Sequence, residues 1–200
     1  MDEDNTRGVV VEVESAPVDR AEGGAPVCRP RSMRLLHWIT AACVIVVAAL
    51  ALIRDETAGR VARQWLLEGH RHGGLLVLAL VLVRLGLRVR FGKLPHVVHS
   101  RLLRAAAVLT HAALYAALLA MPLIGWALSN AEDKPVHLFG LTLPALVADD
   151  EDLADRLLVW HQDVAWVLLA LVSLHVAAAL WHHFVRRDGV LRSMWPARRR

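Results

Sequence analysis

Hydrophobic and polar residues of this chain are grouped into long segments: four apolar runs are separated by charged segments. Three of the runs, residues 35–53, 105–128 and 157–181, contain Asp163 as their sole acidic or basic residue. An α-helix rises about 1.5 Å per residue, so each run is long enough to cross a hydrocarbon core of roughly 30 Å. The pattern therefore predicts membrane-spanning helices.

The second apolar run, residues 65–87, is weaker because its uninterrupted apolar stretch covers only residues 73–83. The distribution of charge nevertheless predicts that it crosses. Basic residues precede the first run, fill the connection 88–104 and follow the fourth run, whereas the connection between the third and fourth runs is acidic. The positive-inside rule places the basic segments in the cytoplasm. Two segments on the same side of the membrane are joined by an even number of crossings. The first run crosses once between the first two basic segments, so the second run has to cross back.

These crossings predict the fold class: an all-α integral membrane protein, built as a four-helix transmembrane bundle in a lipid bilayer. We expect a multi-pass protein of the cell inner membrane with both termini cytoplasmic. Residues 1–30 are acidic and then rich in Gly, Pro and Ala, which predicts a disordered cytoplasmic tail. Residues 31–196 form the predicted transmembrane domain, and residues 197–200 a basic C-terminal tail.

Composition supports a membrane protein, since 56% of the 200 residues are hydrophobic. The pI of about 9.8 is basic, but the basic residues flank apolar runs, which favours the membrane surface over nucleic acid as their partner. Cys28 and Cys43 form no C-x-x-C pair. This argues against a disulfide framework, a thiolate metal site and a covalently attached c-type haem.

Four of the histidines indicate redox chemistry, because an imidazole inside a span is costly and usually functional. His161 and His175 are 14 positions apart, which places them within roughly 40° of one helix face and ~21 Å apart along the axis. His70 lies at the level of His161, and His37 at the level of His175. We therefore predict two haem b groups per chain, with iron ligated by His70 and His161 near the outer face and by His37 and His175 near the inner face.

The ligand opposite His175, the partners of the propionates and the class of function each have an alternative. His111, on the third run, lies at a depth where it could replace His37 opposite His175. Arg84 and Arg34 are candidate partners for the anionic propionates of the inner haem, although snorkelling to lipid phosphate accounts for Arg84 equally well. A metal-ion or proton transporter would also use intramembrane histidines, but transporters carry carboxylates at the midplane, and these runs hold almost none.

Several motifs resemble the bacterial cytochrome b561 family, which is related to the b-type cytochrome subunit of nickel hydrogenases. The resembling strings are Arg-Leu-Leu-His-Trp at 34–38, His70 with Gly74 and Val-Arg-Leu at 83–85, His111 with Tyr115 and Pro-Leu-Ile-Gly at 122–125, Trp-His at 160–161, and Asp188, Leu191 and Met-Trp-Pro at 194–196. The block Leu-His-Val-Ala-Ala-Ala-Leu-Trp-His-His at 174–183 is the most specific. The likeness covers residues 33–196.

The resemblance implies two non-covalent b haems, the same four histidine ligands and electron exchange with the ubiquinone pool. No catalytic side chain is expected, because the cofactor carries the chemistry. Some members resemble superoxide:ubiquinone oxidoreductases, which take an electron from superoxide at the periplasmic face. The acidic segment 149–155 opposes the steering of an anion there, whereas four outer arginines favour it: Arg54, Arg60, Arg63 and Arg71. The alternative is a haem-b anchor subunit that passes electrons between a partner dehydrogenase or hydrogenase and quinone.

Overall fold

The computed structural model describes residues 31–91, 101–138, 140–188 and 190–195. Its elements in chain order are α1 (Arg31–Glu56), α2 (Arg60–Phe91), α3 (Arg101–Ala131), the strands β1 (His137–Leu138) and β2 (Leu141–Thr142), α4 (Glu151–Trp181), a π-helical turn at His182–Arg186 and a 3₁₀ turn at Arg192–Met194. The two predicted tails, residues 1–30 and 197–200, lie outside the described residues.

All four helices are long and apolar enough to cross a membrane, which confirms the predicted four-helix transmembrane bundle. The weak second run is included, since the helix that contains it continues from Arg60 to Phe91. Each helix extends beyond its apolar run into polar residues, because the helical conformation satisfies backbone hydrogen bonds both inside the hydrocarbon and in the headgroup region. Both the number of crossings and their order therefore follow from the hydropathy and the charge pattern.

The two ends of the bundle differ in which chain segments they carry. The loop end carries the turn between α1 and α2 and the connection between α3 and α4, in which β1 and β2 pair antiparallel. The terminal end carries the start of α1 at Arg31 and the last described residue, Trp195. Consequently α1 and α3 run towards the loop end, while α2 and α4 run back towards the terminal end.

The helices associate as two pairs, with α1 packed along α2 and α3 packed along α4. Gly73 allows α2 to lie close to α1, since a Cβ atom at this position would come within 2.5 Å of Val47 Cγ2. Contacts between α2 and α3 are fewer, and those of α4 with α1 and α2 are sparse. The bundle therefore leaves space between α4 and the α1/α2 pair.

At the loop end, the start of α4 is fixed to the end of α3. The Asp150 side chain caps α4 by accepting a hydrogen bond from the Leu153 N–H at 2.9 Å, and the Asp150 N–H donates to the Ala131 carbonyl at 3.1 Å. Ala131, Ala154 and Leu157 are buried together at this junction. An acidic cap also stabilises the positive end of the helix dipole.

At the terminal end, the chain after α4 folds back onto α1. The Arg34 guanidinium donates to the Trp195 carbonyl at 2.8 Å, and the Trp38 indole donates to the Met194 carbonyl at 2.9 Å. The Trp38 and Trp195 rings meet edge to face, with their centroids 6.0 Å apart. This C-terminal segment therefore covers the start of α1.

Candidate functional site

The four predicted histidines meet as two imidazole pairs in the space between α4 and the α1/α2 pair. At the loop end, His70 of α2 faces His161 of α4, with the ring centroids 6.1 Å apart and the planes at 74°. At the terminal end, His37 of α1 faces His175 of α4, with centroids 6.3 Å apart and planes at 77°. We call these the loop-end pair and the terminal-end pair.

Both separations suit two imidazoles on opposite sides of one metal ion. A metal–nitrogen bond of about 2 Å, plus about 1 Å from nitrogen to ring centre on each side, gives roughly 6 Å between centroids. Among the described residues, no three His, Cys, Asp or Glu side chains cluster closely enough to hold a metal ion by themselves. Each pair therefore suits a metal whose remaining ligands come from a non-protein group.

The space around the pairs suits a flat group of this kind. The backbone of α4 makes few contacts with α1 and α2, so the imidazoles bridge a gap that helix packing leaves open. On the α2 side, a Cβ atom at Gly74 would have no neighbouring atom within 4 Å. The site thus places paired imidazole nitrogens between loosely packed helices, an arrangement that suits a b-type haem.

The orientation of His70 is fixed by the backbone of α1. Its Nδ1 lies 2.9 Å from the Val47 carbonyl oxygen, and because a carbonyl only accepts, Nδ1 has to carry the proton. The other ring nitrogen, Nε2, is then left with its lone pair for a metal. Backbone hydrogen bonds of this type orient metal-binding histidines and raise their basicity.

His161 is positioned by a residue that the sequence analysis did not single out as functional. A Cβ atom at Gly125 of α3 would lie 3.2 Å from His161 Cε1 and 3.6 Å from its Nδ1. Only glycine therefore leaves this ring its full space. The signal in the sequence was the string Pro-Leu-Ile-Gly at 122–125, but nothing in the string indicates which side chain the glycine accommodates.

His111 also reaches the terminal end, yet its geometry differs from that of His37. Its ring centroid is 5.3 Å from that of His175, with the planes at 81°, and its Nδ1 is bonded to the Ala107 carbonyl within its own helix. At 5.3 Å the two ring centroids are 1.0 Å closer than those of His37 and His175, which is too close for opposite coordination of one metal. The spacing therefore favours His37 over His111 as the partner of His175.

The two predicted propionate partners lie at the terminal end in different surroundings. Arg34 is only 6% exposed, and its buried Nε has no hydrogen-bond partner among the described residues. Arg84 is partly buried and lies over the Tyr115 ring, 5.7 Å from its centroid, with Arg88 at 5.8 Å from the same ring. A buried guanidinium with an unused donor suits a carboxylate group of a ligand.

At the loop end, a cavity of about 590 Å³ is lined by the turn between α1 and α2, the first part of α2 and Lys134. Its cationic lining residues are Arg54, Arg60, Arg63, Arg71 and Lys134. Arg71 follows His70 directly and is paired with Glu68 at 3.0 Å and Glu132 at 3.7 Å. Arg60 and Arg63 make no ion pair with any described residue, so their charge is available to an anion. The four arginines match the sequence-based expectation, whereas Lys134, which lies in the acidic connection, was not expected beside them.

The chain is similar to a known protein family over most of its length. The family model described as "Prokaryotic cytochrome b561" matches residues 29–197. The chain is 30% identical over 165 residues to a "Probable superoxide oxidase CybB" of Yersinia pestis, which covers 82% of this chain and 93% of that protein. It is 30% identical to "Cytochrome b561 homolog 1" of Escherichia coli K12, over 82% of this chain and 94% of that protein.

A further relative, "Cytochrome b561 homolog 2" of Escherichia coli K12, is 35% identical over 64% of this chain and 69% of that protein. The family match extends over all four transmembrane helices and contains both imidazole pairs. The chain therefore belongs to the prokaryotic cytochrome b561 family, and it is a membrane cytochrome of the kind that binds haem b.

Proposed function

We propose that this chain holds two haem b groups and passes electrons from superoxide, at the loop end, to ubiquinone. The observation that supports this most directly is the presence of two facing imidazole pairs, at 6.1 and 6.3 Å, near opposite ends of one bundle. Their α4 members are separated by about 21 Å along the helix, from 14 residues at 1.5 Å each. Two redox centres on one line across the membrane connect its two faces.

In this proposal His70 and His161 ligate one iron, and His37 and His175 the other. Bound haem b supplies reversible one-electron chemistry at each site. The protein contributes the axial nitrogens, the tautomer that Val47 imposes on His70, and the apolar helices that exclude water. Two imidazoles held on one haem would favour electron transfer over oxygen binding.

Arg34 and Arg84 serve the terminal-end haem by binding its propionates. The buried Nε of Arg34 supports this role, because a guanidinium inside the bundle needs an anionic or accepting partner. Arg84 approaches from α2, held against Tyr115. Positive charge at this position also favours the reduced haem, since reduction adds an electron to the site.

Superoxide as the donor is supported by the cationic cavity at the loop end and by the printed name of the Yersinia pestis relative. Two superoxide anions each lose one electron and leave as dioxygen, while one ubiquinone takes up both electrons and two protons. The acidic residues that opposed anion steering lie elsewhere, since Asp150 caps α4 and Glu151 and Asp152 occupy its first turn. They stabilise the α4 N-terminus and are absent from the lining of the cavity.

The orientation follows from the positive-inside rule, which places the terminal end in the cytoplasm and the loop end outside the inner membrane. With this orientation, superoxide generated outside the cell membrane meets the cationic cavity. Ubiquinone, which dissolves in the bilayer, is reached from within the membrane.

The haem proposal is tested on the purified full-length protein by a dithionite-reduced minus oxidised spectrum, with haem quantified per chain. We expect a low-spin b-type spectrum and about two haems per chain. A colourless protein expressed with ample haem supply would overturn the proposal. A stoichiometry of one would show that one of the two pairs is not a haem site.

The donor is tested by adding superoxide and a water-soluble ubiquinone analogue to the protein in detergent or vesicles. We expect quinone reduction that depends on the protein, with a rate that falls as salt is added. The double variant R60Q/R63Q should lower the rate several-fold at low salt, because it removes the two unpaired cations of the cavity. Arg156→Gln, which removes an exposed arginine outside the cavity, is the matched control. Equal rates in both variants would exclude this cavity as the docking site.

A further inference from the structure

Asp163 lies on the outward-facing side of α4, two residues after His161 and about 4.5 Å further along the helix than Trp160. It is the sole acidic or basic residue of the run 157–181, and it is exposed in the structure. It makes no hydrogen bond or ion pair with any described residue. An ionisable group facing hydrocarbon is costly and is rarely left there unpaired.

Trp166 lies one helical turn further into the membrane on the same face, and it is 72% exposed. Its indole N–H finds no acceptor within the described part of the chain. Trp160 and Trp181 mark the two membrane borders, since 21 residues at 1.5 Å span about 31 Å. On this scale Trp166 lies about 9 Å inside the nearer border, away from the interfacial region that tryptophans prefer.

We propose that α4 forms the interface of a homodimer in which Asp163 of each copy accepts a hydrogen bond from the Trp166 indole of the other. This inference goes beyond the proposed electron-transfer function and does not depend on it. A second copy of the chain is the occupant that matches the depth of these groups. Copies with the same topology share one orientation in the membrane, so every residue faces residues of its own depth across a two-fold axis.

Asp163, the acceptor, and Trp166, the donor, are three positions apart on α4, so they differ in depth by about 4.5 Å. A two-fold axis next to α4 therefore brings each acceptor close to the other copy's donor, and the two hydrogen bonds form reciprocally. Ala170 and Ala177 continue the exposed face at seven-residue spacing. Small side chains at these positions let two helix backbones approach, as interhelical hydrogen bonds require.

The interface is tested in native membranes by disulfide cross-linking of the full-length chain. Cys28→Ser and Cys43→Ala remove the native thiols, and Ala170→Cys places one thiol on the α4 face. Val46→Cys on α1 is the matched control, because Val46 is also exposed to lipid at 56%. We expect a dimer band for Ala170→Cys and monomer for Val46→Cys. No cross-link at position 170, or equal cross-linking at both positions, would overturn the proposal.

The hydrogen bonds themselves are tested by energy transfer between labelled copies in vesicles over a range of protein-to-lipid ratios. D163L and W166F should each weaken dimerisation at least tenfold, and the double variant should be little worse than either, because both changes remove the same bonds. W65F, an exposed tryptophan of α2 at the loop end, should leave dimerisation unchanged. Equal haem content in all variants shows that the fold is intact.

Two results of the vesicle experiment would contradict the proposal. A wild-type protein that is monomeric at every ratio would mean that lipid headgroups satisfy Asp163. Dimerisation that D163L and W166F leave unchanged would place the interface on another face of the bundle.

Discussion

The loop-end and terminal-end imidazole pairs have almost the same spacing but very different surroundings. His70 and His161 are held by neutral backbone features, the Val47 carbonyl and the missing side chain of Gly125, and their end of the bundle carries an open cationic cavity. The terminal-end pair has a third imidazole, His111, within 5.3 Å of His175. The buried Arg34 lies at this same end, and the C-terminal segment covers it.

This difference suggests a division of labour between the two ends. The loop end is open and presents unpaired charge at its surface, which suits contact with a small anionic donor. The terminal end is covered by the C-terminal segment and holds the buried Arg34 beside its imidazoles, which suits control of redox potential. Variants at the loop end should therefore alter contact with the donor, and variants at the terminal end should alter the redox potential.

The largest effect is expected from the ligands on α4. His161→Ala and His175→Ala should each lower the content to about one haem per chain, because one imidazole is left to hold each affected iron. The reduced-minus-oxidised spectra of the two variants should differ, since each reports the remaining site. His111→Ala is the control and should retain both haems. If His111→Ala lost a haem while His37→Ala kept both, the ligand opposite His175 would be His111 of α3 and not His37 of α1.

A smaller effect, confined to the loop end, is expected from Gly125→Ala. The added Cβ would lie 3.2 Å from His161 Cε1, so the ring has to tilt, at a cost of about 1–3 kcal/mol for overpacking. We expect lower haem occupancy and an altered low-spin electron paramagnetic resonance signal at the loop end alone. Gly86→Ala is the matched control, because a Cβ there meets no atom within 4 Å. A change in the terminal-end signal would show that the two sites are not independent.

Arg34→Gln should affect only the terminal end, and more moderately. Removing a buried positive charge next to a site that gains an electron lowers its reduction potential; we expect about 60 mV, which equals a tenfold change in a one-electron equilibrium. Redox titration followed by optical spectroscopy resolves the two haems. The loop-end potential should stay constant. An unchanged terminal-end potential would show that Arg34 serves to anchor the C-terminal segment through Trp195 instead.

The smallest effect concerns Asp188, beyond the membrane span, whose side chain lies 2.5 Å from His182 Nδ1. Burial raises the pKa of Asp188, but hydrogen bonds from His182 and the Val190 N–H, together with the charges of His182 and Arg186, lower it overall. Because the pKa of Asp188 is lowered, the ionised carboxylate stabilises the folded chain fully above the ordinary pKa of 3.8. This stabilisation is lost as the pH falls below that value.

Asp188→Asn should therefore slightly weaken the attachment of the C-terminal segment near neutral pH and reduce its acid sensitivity below pH 3.8. Limited proteolysis after residue 187 as a function of pH measures this attachment. Wild-type and variant proteins with the same pH profile would exclude Asp188 as the acid-sensitive group.

The fold could be predicted from the sequence because hydropathy and charge act over whole segments. Even the weak run 65–87 was assigned correctly, since the arginines around it fix the number of crossings. The pairing of His70 with His161, and the placing of His37 at the level of His175, follow from depth along roughly parallel helices.

What the sequence could not provide depends on rotation and lateral contact between helices. Gly125 lies on α3, 36 positions before His161, and no periodicity relates the two. The Val47 carbonyl is a backbone group with no signature in the sequence. His111 and His37 have similar depths, so only the distance between their rings and that of His175 distinguishes them.

The sparse contact between α4 and the α1/α2 pair has a consequence for biogenesis. The two helical hairpins, α1/α2 and α3/α4, contact each other mainly through α2 and α3, so α4 itself is held to the first hairpin by few direct contacts. Ligand bridging at the imidazoles would then complete the tertiary structure, so that cofactor supply determines how much of the newly made chain escapes membrane proteases. Haem-starved cells should contain little of this protein, even where its messenger RNA is abundant.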